Sequence, residues 1–320
     1  MRLLFISSTR VGDAILSTGL LDHLIRQNPG IKVTIACGPA AVGLFGAVPG
    51  LERLIRLDKM AFSLHWPYLF SQVAFKRWDM LVDLRNSPLY YVVPAKKKWR
   101  VGRIRSPEHR VVQLASVLGL EADPPAPRLW SDQAHDAYAA ELISDDAPVL
   151  AVGPTANWRA KTWRPEHFAE LIERLCAPGG ILPGAKVAVF GRDDERPSAL
   201  GLLETIPAER RIDLVGHLDL LSVHACLKRA DFYVGNDSGL MHLAAASGIP
   251  TLGLFGPSPI NHYAPWGGMS GVASTAIPYE EIFPDDFDHR NSDSLMDSLT
   301  VDMAEAAARE LWVRCREQAA

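Results

Sequence analysis

The chain alternates short apolar runs with amphipathic stretches, and it does so twice. In the first half the runs are LLFIS, KVTIAC, RLIRL and DMLVDL, each of strand length. Between the first two lies AILSTGLLDHLIRQN, whose Leu16, Leu20 and Leu24 recur four apart, and Asn28-Pro29-Gly30 stops it. Strand–helix–strand alternation of this kind predicts a parallel sheet covered by helices on both faces. From Glu121 to Pro148 the pattern breaks: EADPPAPRLW is proline-rich and SDDAP is polar. A domain junction is placed here, giving a first domain over 1–147 and a second over 148–320. The alternation restarts with PVLAVGP, KVAVFG, RIDLVG, DFYVGND and IPTLGLFG, separated by RPEHFAELIERLC, LLSVHACLKRA and SGLMHLAAASG. TVDMAEAAARELWVRCREQ closes the chain as an amphipathic helix capped by Thr300 and free to pack back on the first domain. The expected fold class is α/β, two doubly wound Rossmann-like domains with ligands at the carboxyl ends of the strands, in a cleft between the two sheets.

A length of 320 residues favours two cores over one. The net charge of −4 excludes a generally basic nucleic-acid binder, and no nucleic-acid module is recognisable. Cys37, Cys176, Cys226 and Cys315 are far apart with no CxxC pair, which points to reduced thiols in a cytoplasm. No apolar run reaches the ~18–20 residues that cross a bilayer, and the opening MRLLFISSTR is too short for a signal peptide. A soluble cytoplasmic protein is expected, at most resting on a membrane surface.

The loops after the strands carry the chemistry. RVGDAILSTGLL offers one glycine, Gly12, beside Asp13, where a dinucleotide fingerprint needs G-x-G-x-x-G; VFGRDDE has only Gly191. Hydride transfer is disfavoured. Asp13 would repel a phosphate, so it is either a helix cap or reactive towards something else. In FYVGNDSGLMHLAAASGIP a strand runs through Asp237 and Ser238 into a helix whose N-terminus suits an anion. Gly239 lets the backbone come close and His242 lies one turn on; a capped core helix with a satisfied histidine is the other reading. VGPTANWRAKTWRPEHF brings Thr155, Arg159, Lys161 and Arg164 to a similar loop. Lys161 with the Ser238–Gly239 helix end would neutralise a departing diphosphate without a metal; a solvated basic loop is the alternative.

Three further clusters stay open. DFD at Asp286 to Asp288 imitates a chelating pair, but two acids in the acidic tract Glu280 to Glu305 do not define a cation site, so no obligatory metal or cofactor is expected. DDE at Asp193 to Glu195 follows a strand and suits either a ribose or a helix cap. KKKWRVGRIRSPEHR carries seven Lys/Arg against one Glu. It suits an anionic acceptor, an anionic membrane or a plain solvated face.

Taken together, RVGDAILSTGLL, PTANWRAKTW and NDSGLMHLAAASGIPTLGLFGPSPINHYAPWG, in this order and spacing, resemble glycosyltransferase family 9, the heptosyltransferases of the lipopolysaccharide inner core. The resemblance runs from Leu3 to about Gly267. It implies the GT-B arrangement, two Rossmann-like domains facing across a cleft. It also implies inverting, metal-independent transfer from a nucleotide diphosphate sugar, typically ADP-L-glycero-D-manno-heptose, to a lipopolysaccharide-core or related glycan. Carried over by position, Asp13 matches the general base and Lys161 the diphosphate lysine. Asp237, Ser238, Gly239 and His242 match the nucleotide-sugar loop, with Thr155 beside the diphosphate and Asp193 the acid near the ribose. The first domain would hold an anionic glycan or glycolipid acceptor, with Gly12, Lys96, Lys97, Lys98, Arg100 and Arg103 as candidate contacts, at the inner face of the cytoplasmic membrane. The segment after the G-P-S-P loop lacks the cysteine of many relatives, which leaves donor sugar and acceptor open. The competing reading is a non-catalytic member that binds nucleotide sugar or glycan and acts through a partner; binding without transfer would distinguish it.

Overall fold

The computed structural model describes residues 1–102, 107–285, 287–288 and 292–319. The chain divides into two units, Met1–Asp132 and Gln133–Ala320.

The first unit has five parallel strands, β1 (Arg2–Ile6), β2 (Lys32–Cys37), β3 (Leu51–Arg56), β4 (Trp78–Asp83) and β5 (Ala95–Arg100), in the order β3-β2-β1-β4-β5. Leu3, Leu4, Phe5 and Ile6 of the central β1 are fully buried, as a strand covered on both faces must be. The second unit has six, β6 (Val149–Gly153), β7 (Lys186–Gly191), β8 (Arg211–Val215), β9 (Phe232–Asn236), β10 (Thr251–Phe255) and β11 (Ser270–Ser274), in the order β11-β10-β9-β6-β7-β8. Counted from its own first strand, that is the doubly wound Rossmann order; the first unit has the same order without the sixth strand. In each sheet the order reverses beside the first strand, between β1 and β4 and between β6 and β9. Ligand crevices form at such switch points.

Two strands were not expected. AKKKWR reads as a solvated basic run, yet it is β5, paired with β4 at the sheet edge, where lysines prevent pairing with another chain. SGVAS forms β11 although it lacks large apolar residues, and the C-terminal helix Val301–Ala319 packs against it. The apolar stripe of that helix, Ala304, Ala308, Leu311 and Cys315, lies in the second unit's core with Leu171, Leu252 and Ala273. The helix belongs to the second unit.

The division at Asp132 falls earlier than the junction at 147 read from the sequence. The helix Gln133–Leu142 packs on Leu220–Leu227 of the second unit, and Ala139 and Ile143 are fully buried. Arg229 ties the polar turn down as well, donating to the Ile143 carbonyl at 2.6 Å and to Asp145 at 2.5 Å. All four cysteines are buried free thiols. Burial pushes Cys37 and Cys226 up to about 12, so neither supplies a thiolate near neutral pH.

Candidate functional site

At the first unit's switch point, the helix Val11–Gln27 starts directly after β1. Its N-cap is Arg10 in an extended conformation, with no side-chain cap. Asp13 therefore does not cap. It occupies the first turn, where the helix dipole stabilises negative charge, and its side chain keeps 25% of its exposure. Arg110 Nε lies 4.0 Å from Asp13 Oδ1, and Arg110 also donates to Gln113 at 3.2 Å. The helix Arg110–Ala115 that carries it packs against Val11–Gln27.

The loop after β4 lines the other side of this switch point. Asp83 is fully buried, and burial raises its pKa. It accepts from the backbone N–H groups of Arg85 at 2.9 Å and Ser87 at 2.7 Å, and from Ser87 Oγ at 2.8 Å. Nothing in the linear sequence singles Asp83 out, because a strand-terminal Asp looks the same whether it is solvated or folded into its own turn.

Among the described residues, the basic residues expected to meet an acceptor make no ion pair with Asp13. Lys96 sits at the amino end of the sheet, paired with Asp79 at 2.6 Å, whereas Asp13 follows the carboxyl end of β1. Lys97 points to solvent from the edge strand, and Lys98 donates to the Tyr90 carbonyl at 3.0 Å. Arg100 bonds the Tyr91 hydroxyl and lies 5.0 Å from the Tyr90 ring centre. A strand spreads consecutive side chains over two faces, so the run cannot act as one cationic loop. Arg103 lies outside the described residues, as does Asp286 of the acidic tract. Gly12 stands beside Asp13 in the helix's first turn. Among the described residues, the cation paired with Asp13 is Arg110, which is remote from it in sequence.

In the second unit, the loops after β6 and β9 meet at the switch point. Asn236 is fully buried and staples them: its Oδ1 accepts from Trp163 N at 3.0 Å and its Nδ2 donates to the Pro154 carbonyl at 2.8 Å. Trp163, also fully buried, anchors the loop by donating from Nε1 to the Leu299 carbonyl at 2.9 Å. Lys161 is thereby held on the turn Arg159–Lys161, and its Nζ donates to Asp237 Oδ2 at 2.6 Å. The Asp237 side chain is 7% exposed and that of Lys161 21%, so the pair is largely removed from water.

Next to this pair starts the helix Gly239–Ala246. Its N-cap, Ser238, is extended, and its side chain makes no cap bond to the N–H groups of the first turn. His242 is buried one turn on. Below lies Tyr233, fully buried, whose hydroxyl occupies the space that a Cβ on Gly153 or Gly235 would fill. Two glycines on paired strands thus make room for one phenol, and burial raises its pKa further.

Thr155, buried after β6, donates from Oγ1 to Glu195 Oε2 at 3.0 Å. The same Glu195 oxygen accepts from the Arg192 N–H at 2.9 Å. Asp193, the acid expected to reach a ribose, is exposed and packs beside Gly216. The acid that bonds Thr155 is Glu195, two positions along the same turn. Arg159 and Arg164 turn away to Asp293, at 3.1 and 3.7 Å, and Arg164 also holds Asp297 at 2.5 Å. Among the described residues, no group of three His, Cys, Asp or Glu side chains converges as a metal site would require.

Residues 97–281 match the model of glycosyltransferase family 9 (heptosyltransferase). Lipooligosaccharide heptosyltransferase 2 of Haemophilus influenzae is 26% identical, over 83% of this chain and 86% of that protein. Among solved structures, the glycosyl transferase family 9 protein of Veillonella parvula superposes with a TM-score of 0.78 at 19% identity, covering 98% of this chain and 97% of that one. The E. coli ADP-heptose lps heptosyltransferase II superposes with a TM-score of 0.75 at 21% identity, covering 99% and 100%. These likenesses extend the two-sheet fold over nearly the whole chain, and the family model covers more than half of it. The chain belongs to glycosyltransferase family 9 and is a glycosyltransferase.

Proposed function

We propose that this protein transfers heptose from ADP-heptose to a lipopolysaccharide-core glycan, with inversion at the anomeric carbon and without an obligatory metal. The observation that carries the reading is the Lys161–Asp237 pair beside the uncapped start of the helix Gly239–Ala246. A diphosphate placed there meets backbone N–H groups, the positive end of a helix and an ammonium held in place by a buried carboxylate. Asp237 keeps Lys161 fixed while the site is empty; with donor bound, the ammonium is shared between carboxylate and phosphate. Glu195, with Thr155, stands where a ribose would present its hydroxyls. The relatives' names, heptosyltransferase 2 and ADP-heptose lps heptosyltransferase II, support the choice of sugar and base.

Asp13 is the general base in this reading. The acceptor hydroxyl oxygen forms a bond to the anomeric carbon as the bond from that carbon to the diphosphate oxygen breaks. The hydroxyl proton passes to Asp13, and the electron pair leaves on the diphosphate, stabilised by Lys161 and the helix end. Attack from the face opposite the leaving group inverts the configuration. Arg110, 4.0 Å from the base, keeps a positive charge beside the carboxylate while it waits. The nucleotide sugar is a substrate and no resident cofactor takes part. The acceptor, a glycan on a lipid, places the enzyme at the inner face of the cytoplasmic membrane.

Lys161→Ala tests the reading. Removing the ammonium should lower kcat/KM with ADP-heptose by about a hundredfold, comparable to losing one preorganised donor to a developing anion. It should also weaken ADP binding in calorimetry. Unchanged ADP affinity and rate would remove the diphosphate from this site.

A further inference from the structure

On the first unit, the helix His65–Val73 is apolar on its outer side as well as its inner one. Its inner stripe, His65, Leu69 and Val73, is buried. Leu69 and Val73 share one cluster with Leu89 and Val93, so this helix and the short helix Leu89–Val92 cover the same face of the sheet. Outward, Leu64 at the N-cap, Tyr68 within the helix and Phe75 in the turn beyond its C-terminus are 54%, 42% and 97% exposed. Phe62 is 97% exposed, and Tyr91 and Val92 are 66% and 57% exposed. Phe62 and Ser63 hold left-handed φ values of 50° and 58°, an unfavourable conformation for an aromatic residue left in water.

Cations flank these side chains in sequence. Residues 59–77 contain Lys59, Lys76 and Arg77, and residues 88–100 contain Lys96, Lys97, Lys98 and Arg100; neither stretch has an Asp or Glu. Lys96 is held by Asp79 and Lys76 lies 3.9 Å from Glu52, whereas Lys59, Arg77 and Lys97 make no ion pair among the described residues. Arg85 lies 4.8 Å from the Trp66 ring centre, so cations and aromatic rings are interleaved. The chain as a whole carries −4, which makes these two cation-bearing stretches without Asp or Glu the exception.

We infer that this face of the first unit rests on an anionic lipid bilayer. Phe62 and Phe75 enter the boundary between headgroups and acyl chains, and Lys59 and Arg77 meet headgroup phosphates. Side chains this exposed and this scattered suit a fluid apolar phase, which needs no complementary shape, and the cations match its charge. Tyr68 and Tyr91 sit where aromatic rings collect at membrane interfaces. The helix has nine residues, and among the described residues no helix is long and apolar enough to cross a membrane. The inference rests on the glycolipid-acceptor reading for its purpose, while the contact itself rests on the surface just described.

The test is co-sedimentation of the full chain with vesicles free of any glycan acceptor, either phosphatidylcholine with phosphatidylglycerol or phosphatidylcholine alone. The parent should bind the mixed vesicles and lose them in high salt. Phe62→Asn combined with Phe75→Ser should weaken partition by about tenfold or more, with thermal unfolding unchanged. Asn suits the left-handed position. Lys59→Glu combined with Arg77→Glu gives an independent variant and should weaken it by about tenfold. A parent that stays in the supernatant, or variants that bind as it does, would overturn the inference. So would a dimer in velocity sedimentation that the Phe62/Phe75 variant abolishes, because the face would then belong to a second copy. Vesicle binding that depends on these residues in a protein that transfers no heptose would sink only the functional reading.

Discussion

The two switch points share a topology and differ in chemistry. In the first unit the helix after β1 opens with a carboxylate, Asp13, partly open to water and 4.0 Å from Arg110. In the second, the corresponding crevice holds Lys161 against a nearly buried Asp237, and the helix after β9 starts with no side-chain cap. Under the proposed function, one crevice would accept a proton and the other would hold an anion. The strand order cannot account for this, since it is the same in both; the loop residues decide it. Within each unit the fold supplies a crevice at a fixed place, and a few side chains at the strand ends set its charge and its hydrogen-bonding groups.

The largest expected effect falls on the first crevice. Asp13→Asn keeps the shape of the carboxylate and removes its basicity, so heptose transfer should fall by about 10²–10⁴, the usual worth of a general base. Near-parental turnover in a purified, folded Asp13→Asn protein would end the distinction between the two crevices.

Acid should separate the units in stability. His224 is 4% exposed, bonded to Ser247 Oγ at 2.7 Å, and burial lowers its pKa from 6.5 to about 4. The folded state thus binds this proton less tightly than the unfolded state does. The stability His224 contributes is complete above about pH 6.5 and is lost as the pH falls towards 4, by about 3 kcal/mol in all. In the first unit His65, whose pKa burial also lowers, is opposed by Asp83, whose raised pKa means that acid relieves the burial of its charge. Urea unfolding at neutral and mildly acidic pH should show the second unit weakening first, and His224→Gln should flatten that dependence. A second unit as stable at pH 4.5 as at 7 would refute the assignment to His224.

A smaller effect sharpens the nucleotide side. Glu195→Gln should weaken ADP binding by about tenfold, the loss of one charge-assisted hydrogen bond, whereas Asp193→Asn should leave it near the parental value. The reverse ranking would return the ribose to Asp193.

The buried strands were legible because a strand covered on both faces has to be apolar throughout, as LLFI and VLAV are. The edges were not. β5 spends its lysines on solvent, and β11 is built of small residues whose burial depends on a helix near the chain's end. The loops carrying Asp13, Lys161 and Ser238 were legible because a turn from strand to helix always exposes N–H groups, whatever the tertiary context. The pairing of Lys161 with Asp237 was not, because 76 residues separate them and only the β6–β9 register brings them together. That Thr155 bonds Glu195 rather than Asp193 has a local reason. Three consecutive acids on one short turn point in different directions, and only the turn's conformation selects the one that faces Thr155.

The division of labour between the crevices is tested most directly by titrating ADP-heptose calorimetrically into the parent, Asp13→Asn and Lys161→Ala proteins, with no acceptor present. Asp13→Asn should bind the donor within about twofold of the parent, and Lys161→Ala should bind it at least tenfold more weakly, about 1.4 kcal/mol. Donor binding lost in Asp13→Asn and retained in Lys161→Ala would contradict the account.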